Sequence, residues 1–105
     1  MPNAFLLVNT PKPDAKEAYE AAWQKLDAIG ARHPSGRLSH TAWLVGDVLY
    51  VLDVWESEAD LGRFIDSTLG DVLVEFKMEL AGPPQRVDFL QTVLGEAALA
   101  SDAIR

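Results

Sequence analysis

The sequence has no cysteine, so it forms no disulfide bond and offers no thiol nucleophile or thiolate metal ligand. It has only nine lysines and arginines against 16 aspartates and glutamates. The basic residues are scattered along the chain rather than clustered. Nucleic acids and anionic membrane surfaces both bind clustered positive charge. The net charge of −7 therefore argues against either of them as a partner.

Long apolar runs are also missing. The longest continuous stretches have about five or six residues, far fewer than the roughly 20 that a membrane-spanning helix needs. The first residues lack the basic flank of a secretory signal. With 105 residues, 49% of them hydrophobic, the chain has the size and composition of one globular domain. We therefore expect a single cytoplasmic domain over residues 1–105, with a C-terminal tail at 95–105.

Apolar periodicity and turn residues predict six main elements. The first strand covers 5–10, and a helix begins at Asp14, with Glu17 completing a capping box, and ends at Gly30. Two strands follow at 37–45 and 48–55. A second helix begins at Ser57, with a bend or break at Gly70, and the last strand covers 86–94. This βαββαβ order predicts a ferredoxin-like α+β fold: a four-stranded antiparallel sheet with two helices on one face.

The central hairpin predicts which side chains share a face. Gly46-Asp47 suits a two-residue type II′ turn, and this turn would pair residues whose numbers sum to 93. His40 then lies opposite Asp53, and Trp43 opposite Tyr50. One face carries Leu38, His40, Ala42, Leu44, Leu49, Val51, Asp53 and Trp55. The other carries Ser39, Thr41, Trp43, Val45, Val48, Tyr50, Leu52 and Val54.

Both faces of this hairpin are mostly apolar, whereas a sheet with one solvated face shows polar residues at alternate positions. Two helices can cover only one face. Exposing a large apolar side chain forgoes about 1.5–3 kcal/mol, so the second face needs a cover. We expect that cover to be a second copy of the same sheet, which makes the protein a homodimer through Trp43 and Tyr50.

The order of elements and the segment Val54-Trp55-Glu56-Ser57-Glu58-Ala59 resemble the dimeric α/β-barrel superfamily, in particular its antibiotic-biosynthesis-monooxygenase-like branch. The resemblance implies two sheets packed face to face as a barrel, with a small-molecule cavity between sheet and helices. It also implies that Trp55 matches a strand-end tryptophan that lines this cavity. Val51 stands where some members have asparagine, and no residue matches a haem-ligand motif.

The most informative polar pair is His40 opposite Asp53. A carboxylate beside an imidazole fixes its tautomer and raises its basicity, which suits a general base. The alternative interpretation of the pair is a cross-strand contact that only stabilises the sheet. If Trp55 marks the cavity face, the predicted substrate-binding residues on the same side are Trp55, Trp23, Tyr19 and Phe64. Each of these aromatic residues can also be a simple core residue.

Three functional hypotheses follow. The first is a small enzyme without a cofactor that acts on an aromatic or polyketide-like molecule, in a monooxygenase-, isomerase- or cyclase-like reaction with His40 and Asp53 as catalytic residues. The second is a non-catalytic dimer that binds a small molecule in the same cavity, and the third is a purely structural role. A cavity of a few hundred Å³ would favour the first two. Metal binding is not expected, because His33 and His40 lie on different elements without a ligand cluster.

Overall fold

The computed structural model describes residues 3–99. Four strands and four helices follow one another along the chain, and two of the helices are joined by a π-helical turn. The strands are β1 (Asn3–Val8), β2 (Arg37–Val45), β3 (Val48–Trp55) and β4 (Gln85–Val87). The helices are α1 (Ala15–Ala28), α2 (Glu58–Phe64), α3 (Gly70–Glu75) and α4 (Glu96–Leu99), with the π-helical turn Ile65–Leu69 between α2 and α3.

The strands form one antiparallel sheet in the order β2-β3-β1-β4. One face of this sheet packs against the helices, and the core lies between them. Its buried members include Phe5, Leu7, Leu49, Val51 and Trp55 from the sheet and Ala18, Ala22, Leu26, Leu61, Phe64 and Val72 from the helices. The predicted ferredoxin-like α+β fold is confirmed. None of the helices in the described part of the chain is long and apolar enough to cross a membrane.

The hairpin of β2 and β3 has the predicted register over most of its length. His40 pairs with Asp53, Trp43 with Tyr50, and Val45 with Val48. Gly46 has a φ of +61°, which fits the first central position of a type II′ turn.

The predicted face is wrong for Leu38. A β-bulge lies between Arg37 and Ser39, so Arg37 rather than Leu38 is opposite Trp55. A bulge adds one residue to one strand and shifts the alternation of side chains beyond it. Leu38 is consequently 53% exposed, and Arg37 lies on the face that packs against the helices.

Helix α1 begins one residue after Asp14, as predicted, but without the capping box. The Asp14 side chain accepts no capping hydrogen bond from the helix, and its carboxylate pairs instead with Lys12 at 3.0 Å. The predicted end is confirmed: Gly30 adopts a φ of +74°, and the amides of Gly30 and Ala31 donate to the carbonyls of Asp27 and Leu26. This is the Schellman arrangement, which favours glycine.

The second helical segment begins with the predicted cap, since the amide of Asp60 donates to Ser57 Oγ at 3.1 Å. The irregularity predicted at Gly70 is a π-helical turn, in which the Gly70 amide donates to the carbonyl of Ile65. A Cβ on Gly70 would lie 3.0 Å from that same oxygen. Glycine is therefore favoured here by the close approach of backbone atoms.

The predicted last strand, 86–94, is wrong in its extent, because β4 covers only Gln85–Val87. Strand β4 runs antiparallel to β1, and its last residue, Val87, pairs with Ala4. No strand pairing follows Val87 within residues 3–99. Phe89, Leu90 and Val93 are accordingly 61%, 98% and 76% exposed.

The face of the sheet that points away from the helices is the predicted apolar one. The rings of Trp43 and Tyr50 stack on it with centroids 5.6 Å apart and an interplanar angle of 8°. Trp43 is 40% exposed, and no described element of the chain covers this face. The homodimer stays a prediction, consistent with an apolar surface of this kind.

Candidate active-site cavity

A cavity of about 60 Å³ lies between the sheet and the helices. One water needs roughly 10–15 Å³ on this scale, so the cavity accommodates about four waters or one small ring. It is smaller than the few hundred Å³ that the enzyme and ligand-binding hypotheses predict. Most of its wall is aliphatic, formed by Leu7, Leu26, Leu49, Val51, Leu69, Leu73, Met78 and Leu80.

Three side chains of the cavity wall form a hydrogen-bonded chain. His40 Nδ1 lies 2.7 Å from Asp53 Oδ1, and the phenolic oxygen of Tyr19 lies 2.8 Å from His40 Nε2. A carboxylate only accepts hydrogen bonds, so Nδ1 must carry the proton and donate it to Asp53. In the neutral imidazole Nε2 is then the acceptor, and the Tyr19 hydroxyl donates to it. The predicted His40–Asp53 pair is thus linked to a third titratable group on helix α1.

Burial of these groups differs along the chain of hydrogen bonds. Asp53 is 3% exposed, whereas the His40 side chain is 17% exposed and Tyr19 is half-buried. Burial raises the pKa of Tyr19 above its ordinary value, partly offset by the nearby charge of Arg37. Tyr19 is therefore a neutral hydroxyl donor at neutral pH.

Trp23 provides an aromatic surface beside the histidine. It lies one helical turn after Tyr19 on α1, so both side chains project from the same side of the helix. The Trp23 ring stacks on the His40 imidazole with centroids 5.1 Å apart and an interplanar angle of 19°. Phe64, at the end of α2, also lines the cavity.

Arg37 is a cavity residue that the sequence did not predict. The bulge turns it inward, where its guanidinium lies 5.6 Å from the Trp23 ring centroid and 5.9 Å from that of Phe64. Burial lowers the pKa of Arg37, while the charge of Asp53 acts in the opposite direction. Among the described residues it is the one cationic side chain of the cavity wall. No sequence signal locates a bulge in this strand, so alternation alone could not have found Arg37.

Asn9 is the second cavity residue that was missed. It directly follows β1 and is only 6% exposed. Its amide Nδ2 donates to the carbonyl of Leu49 at 3.3 Å, whereas Oδ1 has no hydrogen-bond partner among the described residues. A sequence signal did exist, because Asn9 continues the alternation of the buried residues Phe5 and Leu7 on the inner face.

Five of the six predicted site residues line the cavity: His40, Asp53, Trp23, Tyr19 and Phe64. Trp55 does not. It is fully buried and packs against Phe64 with ring centroids 5.7 Å apart. Its predicted contact with a substrate stays a prediction, and its observed contact is with a residue of the cavity wall. Within residues 3–99, no group of three or more side chains is arranged to hold a metal ion.

The fold matches solved structures of several bacterial proteins. One from Chloroflexus aurantiacus J-10-fl, provisionally named an antibiotic biosynthesis monooxygenase, aligns over 89% of this chain and 97% of its own, with 14% identity and a TM-score of 0.61. Another with the same provisional name, from Caulobacter crescentus CB15, aligns over 86% and 91%, with 16% identity and a TM-score of 0.63. A Nitrosomonas europaea protein of unknown function aligns over 90% and 96%, with 21% identity and a TM-score of 0.59.

The chain has the fold of these proteins. The predicted resemblance to the antibiotic-biosynthesis-monooxygenase-like group is therefore confirmed at the level of the fold. No protein-family model matches the sequence, and no curated protein matches it significantly. The chemistry has to be argued from the cavity itself.

Proposed function

We propose that this protein is a small enzyme that needs no cofactor and that acts on an aromatic or polyketide-like molecule by removing a proton from it. The observation that carries the proposal is the hydrogen-bonded chain Asp53–His40–Tyr19 in the wall of a mostly apolar cavity. A base positioned within hydrogen-bond reach of a substrate proton is the arrangement that general-base catalysis requires. The resulting anion would then react further in a monooxygenase-, isomerase- or cyclase-like step.

The geometry of the three groups supports a proton relay. Tyr19 is the member of the chain that lies farthest from the buried carboxylate, and its hydroxyl oxygen lies 2.8 Å from His40 Nε2. An acidic O–H or C–H of the substrate gives its proton to the Tyr19 oxygen as Tyr19 gives its own to His40. The imidazolium formed in this way is stabilised by the carboxylate of Asp53, 2.7 Å away.

Trp23 and Arg37 support binding of a flat anion. The face of Trp23 offers a stacking surface, and the Arg37 guanidinium supplies the positive charge that a phenolate or enolate needs. Arg37 is held in place before any ligand arrives, by the bulge and by its hydrogen bond to the carbonyl of Arg32 at 2.6 Å.

The size of the cavity sets a condition for this proposal. A molecule larger than one ring requires side chains at the mouth to move. Tyr19 and Trp23 line both the cavity and a shallow groove on the surface, beside Glu20 and Gln24. Rotation of these two half-buried rings would join the groove to the cavity, so they form the entrance in our proposal.

A two-ring ketone with acidic C–H bonds, 2-tetralone, tests the proton transfer directly. Its α-protons exchange with deuterium in D₂O, and the exchange is followed by ¹H NMR without any knowledge of the natural substrate. We expect the protein to accelerate exchange and His40→Gln to reduce that acceleration by about 10²–10⁴-fold, the range that one general base contributes. His33→Gln is the matched control, because His33 is exposed in a loop away from the cavity.

The outcomes separate the enzyme from its alternative, a non-catalytic dimer that binds a small molecule. That alternative is supported by the hydrogen bonds that Asp53, His40 and Tyr19 make to one another. Such bonds are also what buried polar groups need when their role is only structural. If 2-tetralone binds but its exchange is the same with and without protein, the enzymatic proposal is wrong and the binding alternative stands. If His40→Gln exchanges as fast as the unaltered protein, His40 is not the base.

We further propose that a second copy of the chain covers the outer face of the sheet, through Trp43 and Tyr50. Light scattering should then give twice the 11.5 kDa of one chain. Trp43→Lys should shift the mass toward that of the monomer, because a lysine cannot be buried unpaired in such an interface. Val74→Lys is the control on the helical side, where Val74 is 77% exposed. A stable monomer of the unaltered protein at micromolar concentration would contradict the proposal.

A further inference from the structure

We propose that Asn9 is a second polar contact for the ligand, which accepts a hydrogen bond from a hydroxyl or N–H group at the end of the molecule farthest from His40. This inference rests on the proposed function, since it assigns the class of molecule that the same cavity takes. The observation behind it is the buried Oδ1 of Asn9, which has no partner among the described residues. An unpaired buried acceptor in a cavity wall raises the free energy of the free protein, and a donor on the ligand removes this penalty.

The orientation of the Asn9 amide follows from its neighbour. The carbonyl of Leu49 already accepts from the backbone amide of Asn9 at 3.0 Å, and it can only accept. The side-chain group facing it must therefore be the NH₂, as the 3.3 Å contact from Nδ2 requires. Turning the amide over would bring two oxygens together. Oδ1 is thus the atom left for a donor, and the sheet itself holds it in this role.

The spacing of the two polar ends defines the length of the ligand. Asn9 bonds to Leu49, and His40 to Asp53, and these two residues lie four positions apart on β3. At about 3.3 Å per residue along β3 and about 4.8 Å for each of the two strand spacings between β1 and β2, the two ends are roughly 16 Å apart. Three hydrogen bonds of about 2.8 Å lie along this distance, from the ligand to Asn9, from the ligand to Tyr19 and from Tyr19 to His40, so roughly 8 Å remains between the two polar atoms of the ligand. A flat two-ring molecule with a hydroxyl at each end has this length.

The wall between the two ends is aliphatic, which fits the ring system of such a molecule. Leu7, Leu49 and Val51 line it from the sheet, and Leu73 and Met78 from the helical side. The buried end at Asn9 would hold one ring in the existing cavity. The second ring would lie at the entrance beside Tyr19 and Trp23, within reach of the proposed base.

Two probes of nearly equal shape test the inference. They are 2,6-dihydroxynaphthalene, which carries a hydroxyl at both ends, and 6-methyl-2-naphthol, in which a methyl group replaces one hydroxyl. Dissociation constants are measured by calorimetry for the unaltered protein and for Asn9→Leu. We expect the affinity ratio of diol to methyl compound to fall about tenfold in Asn9→Leu, because the diol then buries a hydroxyl without a partner.

Two further variants guard against indirect effects. Asn9→Ala should lower the same ratio if Asn9→Leu proves hard to fold. Asn3→Leu changes a partly buried amide on the same strand that does not line the cavity, and it should leave the ratio unchanged.

The outcomes distinguish this inference from the proposed function. If both probes bind and the ratio is the same in the unaltered protein and in Asn9→Leu, Asn9 is not a ligand contact, but the cavity remains a binding site. If neither probe binds the unaltered protein, both the inference and the ligand-binding role of the cavity are wrong. A fall in the ratio that leaves the effect of His40→Gln on 2-tetralone exchange intact supports both.

Discussion

The buried pair His40–Asp53 makes a prediction about stability that needs no substrate. In His40→Leu the carboxylate of Asp53, which is 3% exposed, loses the hydrogen bond of 2.7 Å from Nδ1. Leaving a buried, charged hydrogen-bond acceptor without its donor costs about 1–3 kcal/mol or more. We expect a destabilisation of about 3 kcal/mol and not more, because the charge of Arg37 still acts on Asp53.

The double variant His40→Leu/Asp53→Leu should be much less affected than the sum of the single variants predicts. It leaves neither a buried charge nor an unpaired ring N–H, and replacing a whole buried pair by apolar residues is often nearly neutral. The coupling energy between the two positions should be about 2–3 kcal/mol. Urea denaturation followed by circular dichroism gives all three free energies of unfolding.

A distant pair provides the control for this cycle. His40→Leu combined with Val74→Ala, whose side chain is 77% exposed, should be additive within about 0.5 kcal/mol. If the His40 and Asp53 variants are additive to the same degree, the two side chains do not form the interaction from which the proposed base is derived.

Three local features lead to further predictions. The pKa of Tyr19 is raised in the folded state, which favours the neutral form of its hydroxyl. This stabilising contribution is complete below pH 10 and is lost as the pH rises through the folded-state pKa. Tyr19→Phe should therefore reduce the loss of stability that is measured above pH 10. Lys77 adopts a φ of +56° after helix α3, so Lys77→Gly should stabilise the protein by about 0.5–1 kcal/mol, seen as a higher Tm. A Cβ added at Gly62 would meet no atom within 4 Å, so Gly62→Ala should stabilise the protein by up to about 1 kcal/mol. Gly70→Ala should stabilise it less, or destabilise it, because the new Cβ would lie close to the Ile65 carbonyl. Equal gains for the two variants in urea denaturation would contradict this.

The features that the sequence predicted well depend on local chemistry. Gly46 fixes the hairpin turn, and the turn fixes the register that puts His40 opposite Asp53. Gly30 and Ser57 mark helix ends because a left-handed glycine and a capping hydroxyl act on neighbouring backbone groups. Each of these signals is contained within a few residues, so a single sequence is sufficient to read it.

The features that were missed depend on contacts between distant parts of the chain. The bulge that turns Arg37 inward involves β3 as much as β2. Strand β4 ends at Val87, which pairs with Ala4 of β1, although apolar residues recur beyond it as far as Leu94. Sequence alternation describes one strand at a time, so it carries no information on where a partner strand begins or shifts.

In the candidate site, too, local features were predicted and contacts between distant residues were missed. The pair His40 and Asp53 followed from the hairpin, but the hydrogen bond from Tyr19 to His40 joins residues 21 positions apart through helix packing. Asn9 was detectable from alternation in β1, yet its unsatisfied oxygen became apparent only with its neighbours in place. Most of the site residues could therefore be predicted, whereas Arg37 and the hydrogen bonds between the site residues could not.

The central claim is that the His40 ring is held with Nδ1 protonated and with Nε2 accepting from Tyr19, the group that faces the ligand. Long-range ¹H–¹⁵N NMR of the ring nitrogens measures this directly, because the chain has only two histidines, and His33→Gln assigns them. The account predicts the Nδ1–H tautomer for His40 at neutral pH and a shift of its Nε2 resonance on addition of 6-methyl-2-naphthol, with His33 unchanged. An Nε2–H tautomer, or His40 ring resonances that do not change when 6-methyl-2-naphthol is bound, would contradict it.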